Sequence, residues 1–275
     1  MKKLAMLLGV LALMVVFSAS QTGATLWTLT HNNSVVEIYD STVWGMYTWE
    51  VDGVDHMFQQ WFWFRIGDTG GEVPISDLDL VYTDHHTTPF NDQLTLAYAD
   101  NSLGLEISIS YILTGGNPGT NMSDIAESIT ISNNSTGSLD IHFFQYCDFD
   151  LNETIWDDTG YLANANTVVQ YDPSLIFSET VVTPAPNYYQ LDYWPRILND
   201  LEDDNPTTLN NCGGPITGDV TWAWQWDRSI PAGGSLLISK DKSLRPVPEP
   251  SSLLLLGSGL LGFGAYFRAR FGRKK

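Results

Sequence analysis

The sequence predicts an all-β chain, a large antiparallel β-sandwich of supersandwich size, with an N-terminal signal helix before it and a C-terminal transmembrane helix after it. Three observations carry that expectation. Apolar and polar residues alternate with period 2 through the middle of the chain, clusters of Gly, Asn, Asp and Pro recur at intervals of roughly 8 to 14 residues, and no long amphipathic helix lies between the two ends.

At the N-terminus Lys2 and Lys3 precede the apolar run Leu4–Phe17 and the small residues Ser18, Ala19 and Ser20. That order of charged, apolar and small residues predicts a secretory signal peptide over residues 1–20. An uncleaved anchor helix is the alternative, but about 14 apolar residues are short for a span. Cleavage after Ser20 and cleavage after Ala24 both fit the pattern.

Residues 25–244 read as strands. Leu103, Leu105, Ile107, Ile109 and Tyr111 alternate with Gly104, Glu106, Ser108 and Ser110, and Leu94, Leu96 and Tyr98 alternate before them. Asp100-Asn101-Ser102 supplies turn residues, so 93–113 is predicted to be a hairpin. A second hairpin with a longer loop is expected where Ile129 and Ile131 lead through Asn133–Ser138 to Leu139, Ile141 and Phe143. Near the end Val220, Trp222, Trp224 and Trp226 share one strand face, and Pro231-Ala232-Gly233-Gly234 turns the chain into Ser235–Lys240. So long a segment should hold nearer about fifteen strands than the seven of an immunoglobulin domain. One domain is expected, and two small sandwiches meeting near the Pro- and Asp-rich stretch 184–206 are the alternative.

All 32 acidic residues of the chain fall between its ends, counting Glu249, against Arg65, Arg196, Arg228, Lys240, Lys242 and Arg245. The exported part is therefore more acidic than the whole-chain net charge of −19. Such a surface opposes binding of nucleic acid, whose phosphates need cationic side chains to displace counterions, and it suits divalent cations. Asp148-Phe149-Asp150-Leu151-Asn152 opens like a calcium loop, but Glu153 stands at the glycine position and Thr159 at that of the bidentate glutamate, so it is not an EF-hand. An acidic turn in solvent is the first expectation for this stretch, and a different calcium site on Asp148, Asp150, Asp157 and Asp158 is the alternative. Cys147 and Cys212 could form a disulfide in an oxidising compartment, and their spacing does not decide whether they do.

Ten tryptophans raise the question of carbohydrate stacking. Alternation of Trp61 with Trp63, and of Trp222 with Trp224 and Trp226, assigns those five to the core instead. No catalytic motif is found: His85-His86 lacks the spacing of a zinc-binding helix, and no G-x-S-x-G elbow occurs. A non-enzymatic surface or matrix protein is the first expectation, and a carbohydrate-binding or carbohydrate-cleaving domain the second.

The C-terminal end is the more specific. Residues 245–252 form a Pro/Ser linker with Pro246, Pro248 and Pro250, none of which can continue a helix. Leu253–Phe267 carries no charge, and at 1.5 Å per residue it spans about 22 Å, a minimal membrane helix that snorkelling side chains would extend. The tail 268–275 holds Arg268, Arg270, Arg273, Lys274 and Lys275, which the positive-inside rule places in the cytoplasm with Lys2 and Lys3. Gly257-Ser258-Gly259-Leu260-Leu261-Gly262 spells G-x-G-x-x-G, yet no acidic residue follows it as a dinucleotide site requires. Its glycines belong with the membrane helix.

Proline-glutamate-proline, a glycine-containing apolar helix and a basic terminus, in that order, resemble the PEP-CTERM sorting signal of Gram-negative bacteria. The resemblance covers about 30 residues and is silent on the fold before them. It implies that Pro248, Glu249 and Pro250 are read by exosortase, a membrane protease-transpeptidase. The protein would then sit in the inner membrane as a precursor and pass to the envelope, the cell surface or the outside, in association with exopolysaccharide. A plain stop-transfer anchor is the competing reading. Replacing Glu249 with Ala should make the unprocessed precursor accumulate, as read by mass spectrometry of the membrane fraction; unchanged processing would remove the motif from consideration.

Overall fold

The computed structural model describes residues 24–247, so the signal region, Pro248-Glu249-Pro250, the apolar stretch 253–267 and the basic tail all lie outside the described residues. Eighteen strands form two antiparallel sheets that face one another. The chain begins with β1 (Leu26–His31), β2 (Ser34–Tyr39), β3 (Met46–Val51), β4 (Val54–Asp55), β5 (Gln59–Ile66) and β6 (Val73–Pro74). It continues with β7 (Asp79–His86), β8 (Gln93–Asp100), β9 (Leu105–Gly115), β10 (Ser123–Asn133), β11 (Leu139–Asp148) and β12 (Thr159–Asn164). The last third holds β13 (Thr167–Tyr171), β14 (Leu175–Thr183), β15 (Tyr188–Tyr193), the short helix α1 (Arg196–Leu201), β16 (Ile216–Thr217), β17 (Val220–Ile230) and β18 (Ser235–Pro246).

The first sheet runs β1-β2-β3-β5-β11-β17-β15, with β4 on β3 and β6 on β5; the second runs β16-β12-β13-β14-β18-β10-β9-β8-β7. Each sheet draws strands from both halves of the sequence, with the earlier strands side by side at one side of the sheet and the later ones at the other. In β9 and β10 every second residue is buried, the mark of a strand with one wet face. In β5 and β17 nearly every residue is buried, because the stretch after β15 crosses the outside of the first sheet. Leu209 N–H donates to Gln225 Oε1 at 2.9 Å, and Arg65 Nη2 donates to the Thr207 carbonyl at 3.2 Å, while Ile197 and Leu201 of α1 are buried. Trp61, Trp63, Trp222, Trp224 and Trp226 are all buried.

The hairpin predicted over 93–113 forms, with Leu96 opposite Ile109 and Asp100 opposite Leu105. The second predicted hairpin does not. β10 lies in the second sheet and β11 in the first, so Asn134–Ser138 is an arch between layers. The turn at Pro231–Gly234 makes the same crossing from β17 to β18. The two arches sit side by side around buried Asn133, whose Nδ2 donates to the carbonyls of Gly137 and Ile230 at 2.8 Å each, and whose backbone exchanges bonds with Gly233 and Gly234. Alternation tells which residues share a face, but a turn sequence of this length serves a hairpin and an arch equally well.

Between the sheets lies a group of four buried charges. Glu127 of β10 stands opposite Lys240 of β18, and Glu179 of β14 opposite Lys242 of β18. Lys240 pairs with Glu127 and, at 3.3 Å, with Glu179; Lys242 pairs with Glu127 at 2.8 Å and with Glu179 at 3.5 Å. The first sheet completes the cluster. Gln60 donates to Glu127 at 2.8 Å, Gln145 and Trp222 Nε1 donate to Glu179 at 2.7 Å, and Lys240 also bonds the Gln145 side-chain oxygen. Burial alone would raise the pKa of Glu179, but Lys242 and Lys240 with the bonds from Trp222 and Gln145 outweigh it and bring it to about 2. Removing one partner strands the others in a dry interior, which costs about 3–5 kcal/mol. Glu179→Ala is therefore expected to lower the unfolding free energy by about that amount in urea titrations, and replacing all four charges with well-packed apolar residues to recover most of it. A loss near zero for Glu179→Ala would show the charges to be dispensable.

Candidate functional site

At one edge of the first sheet the antiparallel order brings strand ends together. Asp148, the last residue of β11, stands opposite Gln59 at the start of β5 and Thr221 near the start of β17, and Tyr193 at the end of β15 stands opposite Val220. Phe58, Asp148, Asp219 and Trp194, which flank those strands, therefore share one rim. Gly218 shapes it. Its φ of 134° would strain any side chain, and its N–H donates to the Asp158 carbonyl at 2.9 Å.

The loop between β11 and β12 closes over this rim. Phe149 packs at 5.3 Å on Trp222 and 4.1 Å from Phe177, and Leu151 is buried. Asp158 Oδ2 accepts from Leu151 N–H at 3.0 Å and from Gln170 Nε2 at 2.6 Å, which pins both ends of the loop. Ile155 and Trp156 are left projecting at its tip. The result is a pocket of about 240 Å³ lined by Phe58, Asp148, Asp150, Ile155, Trp156, Trp194 and Asp219. Its walls are aromatic and unusually open, with Trp156 75% exposed and Trp194 46% exposed. Trp44, also exposed, meets Phe58 edge-on at 5.7 Å.

The floor is acidic. Asp148, Asp150 and Asp219 each present a carboxylate oxygen within 4.8 Å of the other two. Asp148 is buried; Tyr146 donates to its Oδ2 at 3.1 Å, while Oδ1 has no hydrogen-bond partner. Burial, then the charges of Asp150 and Asp219, push the Asp148 carboxyl well above the usual range. Burial followed by Asp219 and Asp55 brings Asp150 up to about 6, and burial raises Asp219. A wider hollow of about 500 Å³ beside Trp27 and Tyr98 is a weaker candidate, because its one buried carboxylate, Asp40, already accepts from Thr25 N–H and Trp27 Nε1.

The structure thus joins Asp148 and Asp150 of the candidate calcium set to Asp219, and not to the other two. Asp157 is exposed on the loop, and Asp158 is buried and occupied by Leu151 and Gln170. Cys147 and Cys212 are both free thiols: the first is buried beside Gln145 and Glu179 between the sheets, the second exposed in the loop before β16. Asp219, Trp156, Trp194 and Phe58 were not legible as site residues. The available signal is that Trp156 and Trp194, unlike the five core tryptophans, sit in segments without alternation.

Comparison with solved structures finds the same sandwich fold in other proteins. A bacterial glucoamylase complexed with acarbose matches with a TM-score of 0.57 and 9% identity over 86% of this chain, which spans only 35% of the glucoamylase. A putative aldose 1-epimerase from Escherichia coli matches with a TM-score of 0.52 and 10% identity, over 82% of this chain and 100% of that one. A protein from Synechocystis matches with a TM-score of 0.54 and 10% identity, over 81% and 96%. Identities this low speak for the fold alone. No curated protein matches the sequence. Residues 246–270 match the family model of the PEP-CTERM protein-sorting motif. The chain is therefore an exported protein carrying a PEP-CTERM signal, which implies processing by exosortase, a membrane protein. Among the described residues no helix is long and apolar enough to cross a membrane, and the apolar stretch 253–267 lies outside them.

The loop anchor has a pH signature. Burial raises Asp158 to about 7 in spite of the bonds from Leu151 and Gln170, with the charges of Asp172 and Asp157 adding to the rise. Unfolded aspartate titrates near 3.8, so the folded form keeps its proton longer; that stabilisation is complete below about pH 4 and lost as pH rises through about 7. Glu179 works in the opposite sense, stabilising above its ordinary 4.5 and losing that contribution as pH falls toward 2. The melting temperature should peak near about pH 4 and fall on both sides, and Asp158→Asn should flatten the alkaline limb while leaving the acid limb. Scanning calorimetry from acid to mildly alkaline pH measures both; an alkaline limb of unchanged slope in Asp158→Asn would contradict the assignment.

Proposed function

We propose that the exported sandwich is a non-catalytic saccharide-binding domain of a cell-surface protein, and that the pocket between Phe58, Trp156 and Trp194 holds a sugar residue of an exopolysaccharide. The observation that carries this reading is the exposure of Trp156 and Trp194 in a pocket that Asp148, Asp150 and Asp219 also line. Large apolar rings held in water are unfavourable unless a partner covers them. Indole faces suit the C–H faces of a sugar ring, and carboxylates accept bonds from its hydroxyls. The glucoamylase complexed with acarbose and the putative aldose 1-epimerase, both named for sugar chemistry, point the same way by shared fold only.

Binding is preferred to hydrolysis because the exposed rings of Trp156 and Trp194 serve a stacked sugar without requiring any bond to be broken. The sorting signal supports export, and both the cell-surface destination and the link to exopolysaccharide rest on the resemblance of that signal alone.

Trp156→Ala, at an exposed loop tip, is expected to leave the melting temperature unchanged and to weaken saccharide binding by roughly 5- to 30-fold, the loss of about 1–2 kcal/mol of ring contact. A glycan array of bacterial polysaccharides probed with the full chain and with the variant tests it. Absence of binding across the array, or equal binding by the variant, would remove the reading.

A further inference from the structure

The pocket floor carries more negative charge than a neutral sugar calls for. Asp148, Asp150 and Asp219 offer oxygens within 4.8 Å of one another, about twice a calcium–oxygen bond of roughly 2.4 Å, so a single ion can touch all three. A second observation is independent of that clustering. Asp148 lines the pocket, and its buried Oδ1 has no hydrogen-bond donor, while Oδ2 is fixed by the Tyr146 hydroxyl. A buried carboxylate oxygen left without a donor calls for a positive partner. Among the described residues no Lys, Arg or His pairs with any of the three carboxylates.

We propose that Asp148, Asp150 and Asp219 bind a divalent cation, calcium by preference, with its remaining coordination positions turned toward Phe58, Trp156 and Trp194. The donor set is oxygen throughout, without the His or Cys that zinc and copper favour. Magnesium demands octahedral contacts of about 2.0–2.1 Å, a tighter cage than three carboxylates at a strand rim supply. Asp219 reaches the ion through the turn at Gly218, which is why the ligand set departs from the contiguous run Asp148–Asp158 that the sequence suggests. The open positions accept water or a pair of adjacent hydroxyls from a sugar. That last step rests on the saccharide reading; the cation does not.

Terbium(III), a calcium-sized ion excited through nearby tryptophan, is the probe. The full chain in mild detergent, stripped with EDTA, is expected to give tryptophan-sensitised terbium emission that saturates at one equivalent and is reversed by excess calcium. Calcium alone should raise the melting temperature. Asp219→Asn and Asp150→Asn, each checked for native circular dichroism, should weaken terbium binding by at least about tenfold, and Asp157→Asn should not. The proposal is overturned by wild-type protein with no saturable emission, by Asp219→Asn binding as tightly as wild type, or by an equal loss in Asp157→Asn. Because terbium is titrated without sugar, the two readings fail separately. Ion binding with a blank glycan array leaves the cation standing, and saccharide binding that survives EDTA without a terbium signal leaves only the sugar.

Discussion

The interaction on which the sandwich depends is the pairing of Lys240 and Lys242 with Glu127 and Glu179 in the space between the sheets. An apolar interface between two sheets is tolerant of sliding, since one methyl group replaces another at little cost. Charged groups are not tolerant. Each of the four has its partner at one register only, and Gln60, Gln145 and Trp222 of the first sheet bond the same carboxylates that the second sheet supplies. The cluster therefore ties β18, β10 and β14 to β5, β11 and β17, the strands whose ends carry the pocket rim.

Burying these cations also shapes the surface. Of the basic residues in the described region, Lys240 and Lys242 lie at the core and Arg65 is buried against Glu72 at 3.0 Å. Arg196, Arg228 and Arg245 are the cations left in contact with solvent among the described residues. The acidic groups outside the core are thus little compensated, and the field at the pocket edge draws in positive ions rather than polyanions.

Strand content and core were readable from the sequence because both follow from local alternation, as in Leu105–Leu113, where each second side chain is buried. The pairing of β10 with β9 and β18 rather than with β11 was not readable, since Asn134–Ser138 is compatible with either path. The pocket was legible by half. Asp148 and Asp150 stand together in the sequence at a strand end, so their clustering is local information. Asp219, Trp194 and Phe58 join them only through the register of β5, β11, β17 and β15, a property of the assembled sheet. Alternation sorted the core tryptophans correctly: Trp61, Trp63, Trp222, Trp224 and Trp226 fill the interior, whereas Trp44, Trp156 and Trp194 in irregular segments face water.

The last strand has one more implication. β18 is an interior strand of its sheet, paired with β14 as far as Pro246, and Val247 N–H donates to the Ser174 carbonyl at 2.8 Å. The matched sorting motif begins at that same Pro246. Only residues 248–252 then separate the sandwich from the uncharged run starting at Leu253, a tether of at most about 18 Å when drawn straight. An enzyme that reads the motif in a folded precursor therefore works within a few residues of a paired interior strand, with little slack between the segment it recognises and the sheet.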